Sequence, residues 1–554
     1  MPPEPPSQPP SQPPGPPPPP PLGPRPSGPP EVLQQGDGQQ AARPGLSSQR
    51  KVVLGAGALV GAGAVTAAVW GAMWYFGTGP QPAEALPDST IAYVSIDIDP
   101  SGQQILAAKD VVEKFPAWND LEISSRDDLR QALFDEVLAD APCDLDYGDD
   151  IEPWIGDRAA AALVDQGDRP TPVVVLQVKD ADRAEEAFDK VNDCGPSDIA
   201  GWAITGDWAV LAETEDIARR VAEDAEDDPL SGDDDYDRWT DEVGDPGILN
   251  VYLAPEAGEL LAEHGAELFG LGTDLGVALS DAPEEVPDEV ADLLDDFEGG
   301  ALTLRFDDGA LELEAASSTE ALGGGVPASD NAGDSIETLP QDTAAALAYS
   351  FEEGWFDELL GSVEGMFGFG FDLRGLLAGA EDELGLDLPE DAETLTGESA
   401  VIAVGGDLDL HGLVTEFDVD LTELPVGIKI KGDADAIQDV IDKLLDGTGV
   451  PDDERRLFVS DSSGDFVAIG PDEDYRDQLL DDGNLGGSGT FRDVVRETDA
   501  GAILYVNLDA GDWLDDLVGD DGDLADNLAP LEAGGMSVWE DDGVGHAVLR
   551  ITTE

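Results

Sequence analysis

Apolar residues follow three patterns along the chain. From Val52 to Phe76 they and small polar residues run for twenty-five positions without a charge. Beyond Leu86, short β-branched or apolar runs such as IAYVSIDI, AAAALV, VVVLQV, WAVLAE, ILNVYLA, ALTLRF and ALELEAA are bounded by Gly, Asp or Pro, which predicts strands. Between them the spacing changes to three and four. Ala184, Ala187, Phe188 and Val191 share one face of a helix opened by Asp180-Ala-Asp182, and Ile217, Ala218 and Val221 share that of a helix opened by Thr214.

At 1.5 Å per residue the uncharged run is ~37 Å long as a helix, enough to cross a ~30 Å hydrocarbon core with some tilt. Arg50 and Lys51 touch its start, Arg25 and Arg43 lie upstream, and Trp70, Trp74 and Tyr75 gather at its far end. Basic residues hold the adjoining end in the cytoplasm, so the reading is a single-pass cell-membrane protein, N-terminus cytoplasmic and C-terminal region extracytoplasmic. Ala83-Glu84-Ala85 resembles a cleavage site, but an n-region of about fifty residues and so long an apolar stretch do not suit a signal peptide. Gly57/Gly61 and Gly63/Ala67/Gly71 recur at four-residue spacing, which permits a homodimer through this helix. The residues before it are mostly Pro, Gln, Ser and Gly and predict a disordered tail, a spacer or a docking strip for a cytoplasmic partner.

The second half of the remaining sequence repeats the first. Leu145–Leu163 lies without gaps over Leu386–Val404, and Leu86–Ser95 over Leu339–Ala348. In the same order, Pro172–Asp182 lies over Pro425–Asp435, Trp208–Ala212 over Phe466–Gly470, and Ile248–Leu253 over Ile503–Leu508. Each copy ends in a hairpin-like pair. Strands joined by tight links, with helices between them, predict an α+β fold. The expectation is two tandem repeats of antiparallel sheet with helices on one face, after a single transmembrane helix and a disordered Pro-rich tail. The boundaries are tail 1–50, transmembrane helix 51–77, linker 78–85, first repeat 86–320, linker 321–335 and second repeat 336–554.

Charge narrows the partners. The chain has 122 acidic and 27 basic residues. Only Glu4, Glu31, Asp37 and four bases precede Val52, which leaves 119 against 23, or about −96, on the rest. Such a surface repels nucleic acid and anionic headgroups, so no nucleic acid is expected as a partner. Cys143 and Cys194 fall on the extracytoplasmic side of this reading, where one disulfide would close a loop of about fifty residues and contribute ~4 kcal/mol.

The stretch Leu145-Asp146-Tyr147-x-x-Asp150-Ile151-x-Pro153-Trp154-Ile155-Gly156-Asp157, followed by an apolar strand, resembles the signature of a bacterial family of single-pass extracytoplasmic proteins with a domain of unknown function, found in actinobacteria and cyanobacteria. The resemblance covers about Leu86 to Glu554, and the second copy has Thr394-Leu395 in place of Pro-Trp. It implies placement and fold but no activity. Pro153-Trp154-Ile155-Gly156 itself reads as a structural corner.

Chemistry is sparse. His264, His411 and His546 lack metal-ligand spacing, and no G-x-S-x-G elbow or P-loop is present, so no catalytic residue, metal or cofactor is assigned. Leu485–Gly489 is Gly-rich without a Lys and reads as a flexible link. Asp144-x-Asp146-x-Gly148-Asp149-Asp150 departs from the calcium-loop pattern at its fifth position. One stretch escapes the acidic trend. Trp355, Phe356, Met366 and Phe367 fall at helical spacing, then Phe367, Phe369 and Phe371 alternate with Gly, either closing over a sheet or lining a groove for an apolar ligand. The favoured function is a non-enzymatic binding or scaffold protein of the cell envelope, in contact with the bilayer through residues 52–76 and with an envelope protein or apolar ligand outside it. A carrier or sensor of an apolar envelope ligand, and an enzyme of unrecognised type, are the alternatives.

So large a like-charge excess destabilises the compact state, and salt screens it, the Debye length shrinking from ~30 Å at 0.01 M to ~3 Å at 1 M. Raising NaCl across that range is expected to raise the melting temperature measured by circular dichroism. An unchanged or lower value would show that self-repulsion does not limit stability.

Overall fold

The computed structural model describes residues 81–97, 111, 114–116, 146–167, 170–194, 201–262, 294, 296–318, 328–352, 354–357, 385–408, 421–448, 450–451, 455–481, 483–511, 513–518 and 522–554, all within one compact unit. The proline-rich tail and the run Val52–Phe76 lie outside them. Among the described residues no helix is long and apolar enough to cross a membrane.

The alternating runs form strands. In the first half these are β1 (Thr90–Asp97), β2 (Ile155–Asp165), β3 (Pro170–Val178), β4 (Gly201–Thr205), β5 (Trp208–Ala212), β6 (Leu249–Leu253), β7 (Gly300–Asp307) and β8 (Ala310–Ser318). In the second they are β9 (Thr343–Tyr349), β10 (Ser399–Gly405), β11 (Val426–Lys431), β12 (Val459–Ser463), β13 (Phe466–Gly470), β14 (Ala502–Asn507), β15 (Leu531–Asp541) and β16 (Val544–Thr553). Helices α1 (Ala181–Cys194), α2 (Glu215–Asp227) and α3 (Asp234–Glu242) accompany the first set. With the second go α4 (Ala332–Ile336), α5 (Glu390–Thr396), α6 (Ala434–Gly447), α7 (Glu473–Leu480) and α8 (Gly489–Val494). The Thr214 side chain caps α2 by accepting from the Ile217 N–H, and Asp472 caps α7 in the same way from Tyr475.

All sixteen strands join one antiparallel sheet, ordered β12-β13-β11-β10-β9-β14-β15-β16-β8-β7-β6-β1-β2-β3-β5-β4. Adding eight to each number of the first set reproduces the second set in reverse. The halves meet edge to edge at β8–β16, where Glu314 pairs with Val548 and Leu313 with Leu549. Each hairpin feeding this seam turns on Asp-Gly with both residues at positive φ (Asp308 48° and Gly309 85°, Asp542 49° and Gly543 85°), the backbone that a two-residue hairpin loop needs. Register also corrects one overlay. Val251 pairs with Val94 and Leu302, and Leu504 with Leu347 and Met536, so Tyr252 matches Tyr505 and the earlier superposition of these strands is two residues out.

Helices cover both faces, not one as expected. Ala160, Ala162 and Val164 of β2 pack with Tyr93, Val175, Ala218 and Val221 of α2 and Trp239 of α3. Ala159, on the opposite face of the same strand, packs with Ile96, Leu176, Trp154 and Phe188 of α1. The second half is arranged alike: α4, α7 and α8 lie against Ala346, Val401 and Tyr505, while Ile437 and Ile441 of α6 lie over Ile430 and Val467. The amphipathic helices were read correctly. Which face each joins follows from strand parity: α1 and α2 land on opposite sides, as do α6 and α7, whereas α2 and α3 share one.

The seam carries a buried ionic network. Glu312 on β8, 4% exposed, accepts from Arg550 on β16, 2% exposed, from Arg305 Nη2 at 2.6 Å and from Arg496 Nε at 3.4 Å. Arg550 also donates to the Asp493 carbonyl at 2.8 Å and the Asp307 carbonyl at 3.1 Å, and Arg305 to that of Val243 at 2.7 Å. Truncating one partner strands buried charge on the other, at a cost of ~3–5 kcal/mol. Arg550→Met is therefore expected to lower stability by that order in urea unfolding followed by circular dichroism; a loss under ~1 kcal/mol would mean the network is solvated.

Candidate functional site

Strand register lines up one unbroken apolar row across the sheet. In the second half it runs Ile469, Ile428, Ile402, Leu347, Leu504, Met536 and Leu549, each directly opposite the next. It continues across the seam through Leu313, Leu304, Leu249 and Ile96. The first-half members are packed beneath Val111, Phe115, Tyr147 and Trp154. Among the described residues, Ile428, Ile402, Leu347 and Leu504 belong to no buried cluster. Ile402 is 46% exposed and Ile428 37%. Ile402 and Ile428 are β-branched side chains presented to solvent, and Leu347 and Leu504 beside them are half-buried; full burial of each is worth ~1.5–3 kcal/mol.

An aromatic ladder borders this strip. Tyr349, at the end of β9, faces the same side as Leu347 and pairs with Ala400 and Ala502. Its ring stacks on Phe351 (6.1 Å, 15°), which stacks on Trp355 (4.5 Å, 22°), which meets Phe356 edge-on (5.5 Å, 87°). Gly354 makes the turn at φ 90°, its N–H donating to Glu393 of α5 at 3.1 Å. The Trp355 indole Nε1 is buried with no hydrogen-bond acceptor among the described residues, an unusual state for a group that ordinarily finds a partner. Of the six candidate aromatic and Met positions, Trp355 and Phe356 are thus brought together with two rings the sequence reading did not single out. Met366, Phe367, Phe369 and Phe371 lie outside the described residues, as does Cys143 and with it the Cys143–Cys194 pairing. The missed signal was period: Tyr349 and Phe351 continue the alternation of β9.

A second concavity of about 600 Å³ lies between the turn Tyr147–Ile151 and α1, lined by Asp150, Pro153, Trp154, Arg183, Glu186 and Lys190. Its polar groups are largely occupied with one another. Asp150 accepts from Lys190 at 2.5 Å and from the Asp146 N–H at 2.9 Å, and Trp154 Nε1 donates to the Asp150 carbonyl at 2.6 Å. Lys190 holds the Asp150 carboxyl below its ordinary range. The second half repeats the lock: Asp391 accepts from the Asp387 N–H at 2.7 Å and from Lys443 at 2.9 and 3.0 Å. The Pro-Trp motif is a corner, as read, and the Asp146 and Asp150 carboxylates of the calcium-like run serve as turn caps.

Little here resembles a reaction centre. Among the described residues no group of three His, Cys, Asp or Glu could hold a metal ion. His546 stacks on Trp539 at 5.1 Å and approaches Glu242 at 3.8 Å, while His264 and His411 lie outside the described residues. The Gly-rich run read as a flexible link is instead a short turn, Leu485–Gly487, with Leu485 fully buried.

The model of the family described as protein of unknown function (DUF3352) matches residues 52–415, and the chain belongs to that family. No curated protein and no solved structure matches it.

Burial pushes the Asp391 carboxyl up, but the Asp387 N–H and Lys443 outweigh it and hold it below the ordinary range. A carboxyl so depressed contributes stability above its unfolded pKa that is lost as pH falls through the folded one. Asp391→Asn should therefore lower the urea midpoint at pH 7, with the gap to the native chain closing below about pH 3. A gap that persists at that pH would mean the ion pair is not its source.

Proposed function

We propose that the chain is a membrane-anchored extracytoplasmic binding protein, non-enzymatic, built from two copies of one α+β unit. The observation that carries the binding role is the exposed stretch of the apolar row at Ile428 and Ile402, beside a stacked aromatic ladder, on a protein whose other surface is strongly acidic. Apolar strips of this kind on an otherwise solvated surface mark ligand or partner sites. The duplication is supported by the matching strand order, the paired Asp-Gly turns and the Asp–Lys lock found in both halves. The uncharged run with its basic flank supports the anchor and an extracytoplasmic position for both copies.

This arrangement favours a carrier or sensor of an apolar molecule over a pure scaffold, because the exposed row is continuous and carries no hydrogen-bonding side chain from Ile428 to Leu504. The test uses the full chain in vesicles with a photoreactive alkyl diazirine that has no headgroup, followed by peptide mapping. Labelling is expected on β9–β11 and is expected to fall several-fold in Ile402→Asp, whose fold is checked by circular dichroism. In whole cells a membrane-impermeant amine reagent should reach Lys179 and spare Lys51. Labelling confined to Val52–Phe76 would overturn the binding role, and reaction at Lys51 the orientation.

A further inference from the structure

The sheet ends on β12, and we propose that this edge docks an extended segment of another polypeptide, which pairs with it as an added strand and sets a carboxylate against Arg456. The backbone carries the first part of the argument. β12 and β13 turn on the two residues Gly464-Asp465, with Gly464 at φ 61°. Ser463 and Phe466 therefore form the hydrogen-bonded closing pair, and bonding alternates from there, so Val459, Asp461 and Ser463 face β13. The N–H and C=O groups of Ser460 and Ser462 point the other way, and no described backbone group meets them. The flanks of the strand, described without a gap over 455–481, make no backbone bond to that edge either. A row of open backbone groups is a template for another strand.

Sheet edges are ordinarily blunted by lysine, proline, a bulge or an inward-pointing charge. β12 reads Val-Ser-Asp-Ser-Ser, without lysine or proline, and its register with β13 is unbroken. Its one charge, Asp461, accepts from Arg476 Nε of α7 at 2.8 Å, and that guanidinium is only 6% exposed. Ser460 Oγ accepts from Gln438 Nε2 of α6 at 2.7 Å. Two helices thus hold the strand in place while its outer edge stays bare. The equivalent strand of the first half, β4, is treated differently. Its Trp202 and Ile204 pack onto a buried cluster, with Trp202 5.5 Å from Phe188, and a side chain at Gly201 would meet the Glu215 nitrogen of α2 at 1.9 Å.

Side chains beside the edge give the occupant its chemistry. Phe458 is 48% exposed and Val459 37%, so a strand pairing there gains apolar contact at that end. Arg456 is exposed and pairs with no described residue, although acids outnumber bases 122 to 27. Its neighbour Arg455, by contrast, is bonded to Asp446 at 3.0 Å. An exposed aromatic ring and an unpaired guanidinium are the residue types enriched where proteins meet. The guanidinium selects a carboxylate on the incoming segment. A second copy of this chain is disfavoured, because it brings a net charge of −95 against an equal one.

The test uses the full-length protein in nanodiscs and a fluorescent peptide of alternating threonine and valine that ends in glutamate, with binding read by anisotropy. The peptide is expected to bind. Ser462→Pro, which removes an outward N–H and leaves the pairing with β13 intact, is expected to weaken binding at least ~10-fold. Val459→Lys, at an exposed position that folding does not depend on, is expected to act in the same direction, and circular dichroism checks both variants. A peptide ending in glutamine is expected to bind several-fold more weakly, and Arg456→Gln to erase that difference. No binding, or binding indifferent to both edge variants, would overturn the docking edge. Equal binding of the two peptides would overturn the carboxylate. A concentration-dependent dimer in sedimentation velocity, abolished by Ser462→Pro, would overturn the choice of partner in favour of a second copy.

Discussion

One strand pairing holds the architecture together. β8 and β16 are both last strands of their halves, and each would otherwise be an open edge with its backbone donors and acceptors unpaired. Joining them antiparallel closes both edges at once and makes a single sheet. The pairing places Glu312 opposite Arg550, so the seam is specified by buried charge as well as by backbone. That combination sets register. A slip of one residue would put Glu312 and Arg550 on opposite faces of the sheet, one of them on the face now lined by Leu313 and Leu549, away from its partner. Everything downstream, including the continuity of the apolar row from one half to the other, depends on that register.

The seam also explains how a chain with so few bases keeps a compact fold. Arg305, Arg496 and Arg550 are spent together on Asp307, Glu312 and Glu314, and Lys190 and Lys443 meet the capping carboxylates Asp150 and Asp391. Most of the remaining acids have no cation to meet and stay solvated. These five bases thus sit where chain direction changes or halves join, and the acids elsewhere are tolerated through hydration and screening.

Much of this was legible from periodicity. The long alternating strands and the capped amphipathic helices follow from local pattern, which is why β1, β2, β3 and β5 and their second-half equivalents match the predicted runs. The edge strands β4 and β12 were missed because five residues such as GWAIT or VSDSS carry too little alternation to stand out. The ionic seam could not be read at all, since Glu312 and Arg550 are 238 positions apart and only topology brings them together. Helix sidedness failed for a related reason: it depends on strand parity across a loop and not on the helix's own sequence. At the candidate site, Trp355 and Phe356 stood out because an apolar cluster in an acidic chain is conspicuous, while Tyr349 and Phe351 were absorbed into an ordinary strand.

The two halves differ where function would separate them. Their frames agree in strand order, hairpin turns and the Asp–Lys lock. Yet the first half buries its part of the apolar row beneath Trp154, Tyr147 and Phe115, with Trp154 tied to the Asp150 carbonyl. In the second half Leu395 takes the place of Trp154 and joins a cluster with Ile430 and Ile437 instead. Replacing a large, hydrogen-bonded ring by a smaller aliphatic side chain shortens the reach of the corner over the sheet, and Ile402 and Ile428 are left outside the packed core. A duplicated fold needs only one stable copy to nucleate and hold the shared sheet. The second can then keep an apolar surface uncovered at a cost in its own stability, offset by the backbone pairing at the seam. On this argument the absence of the Pro-Trp corner from the second half is one reason that Ile402 and Ile428 stay exposed.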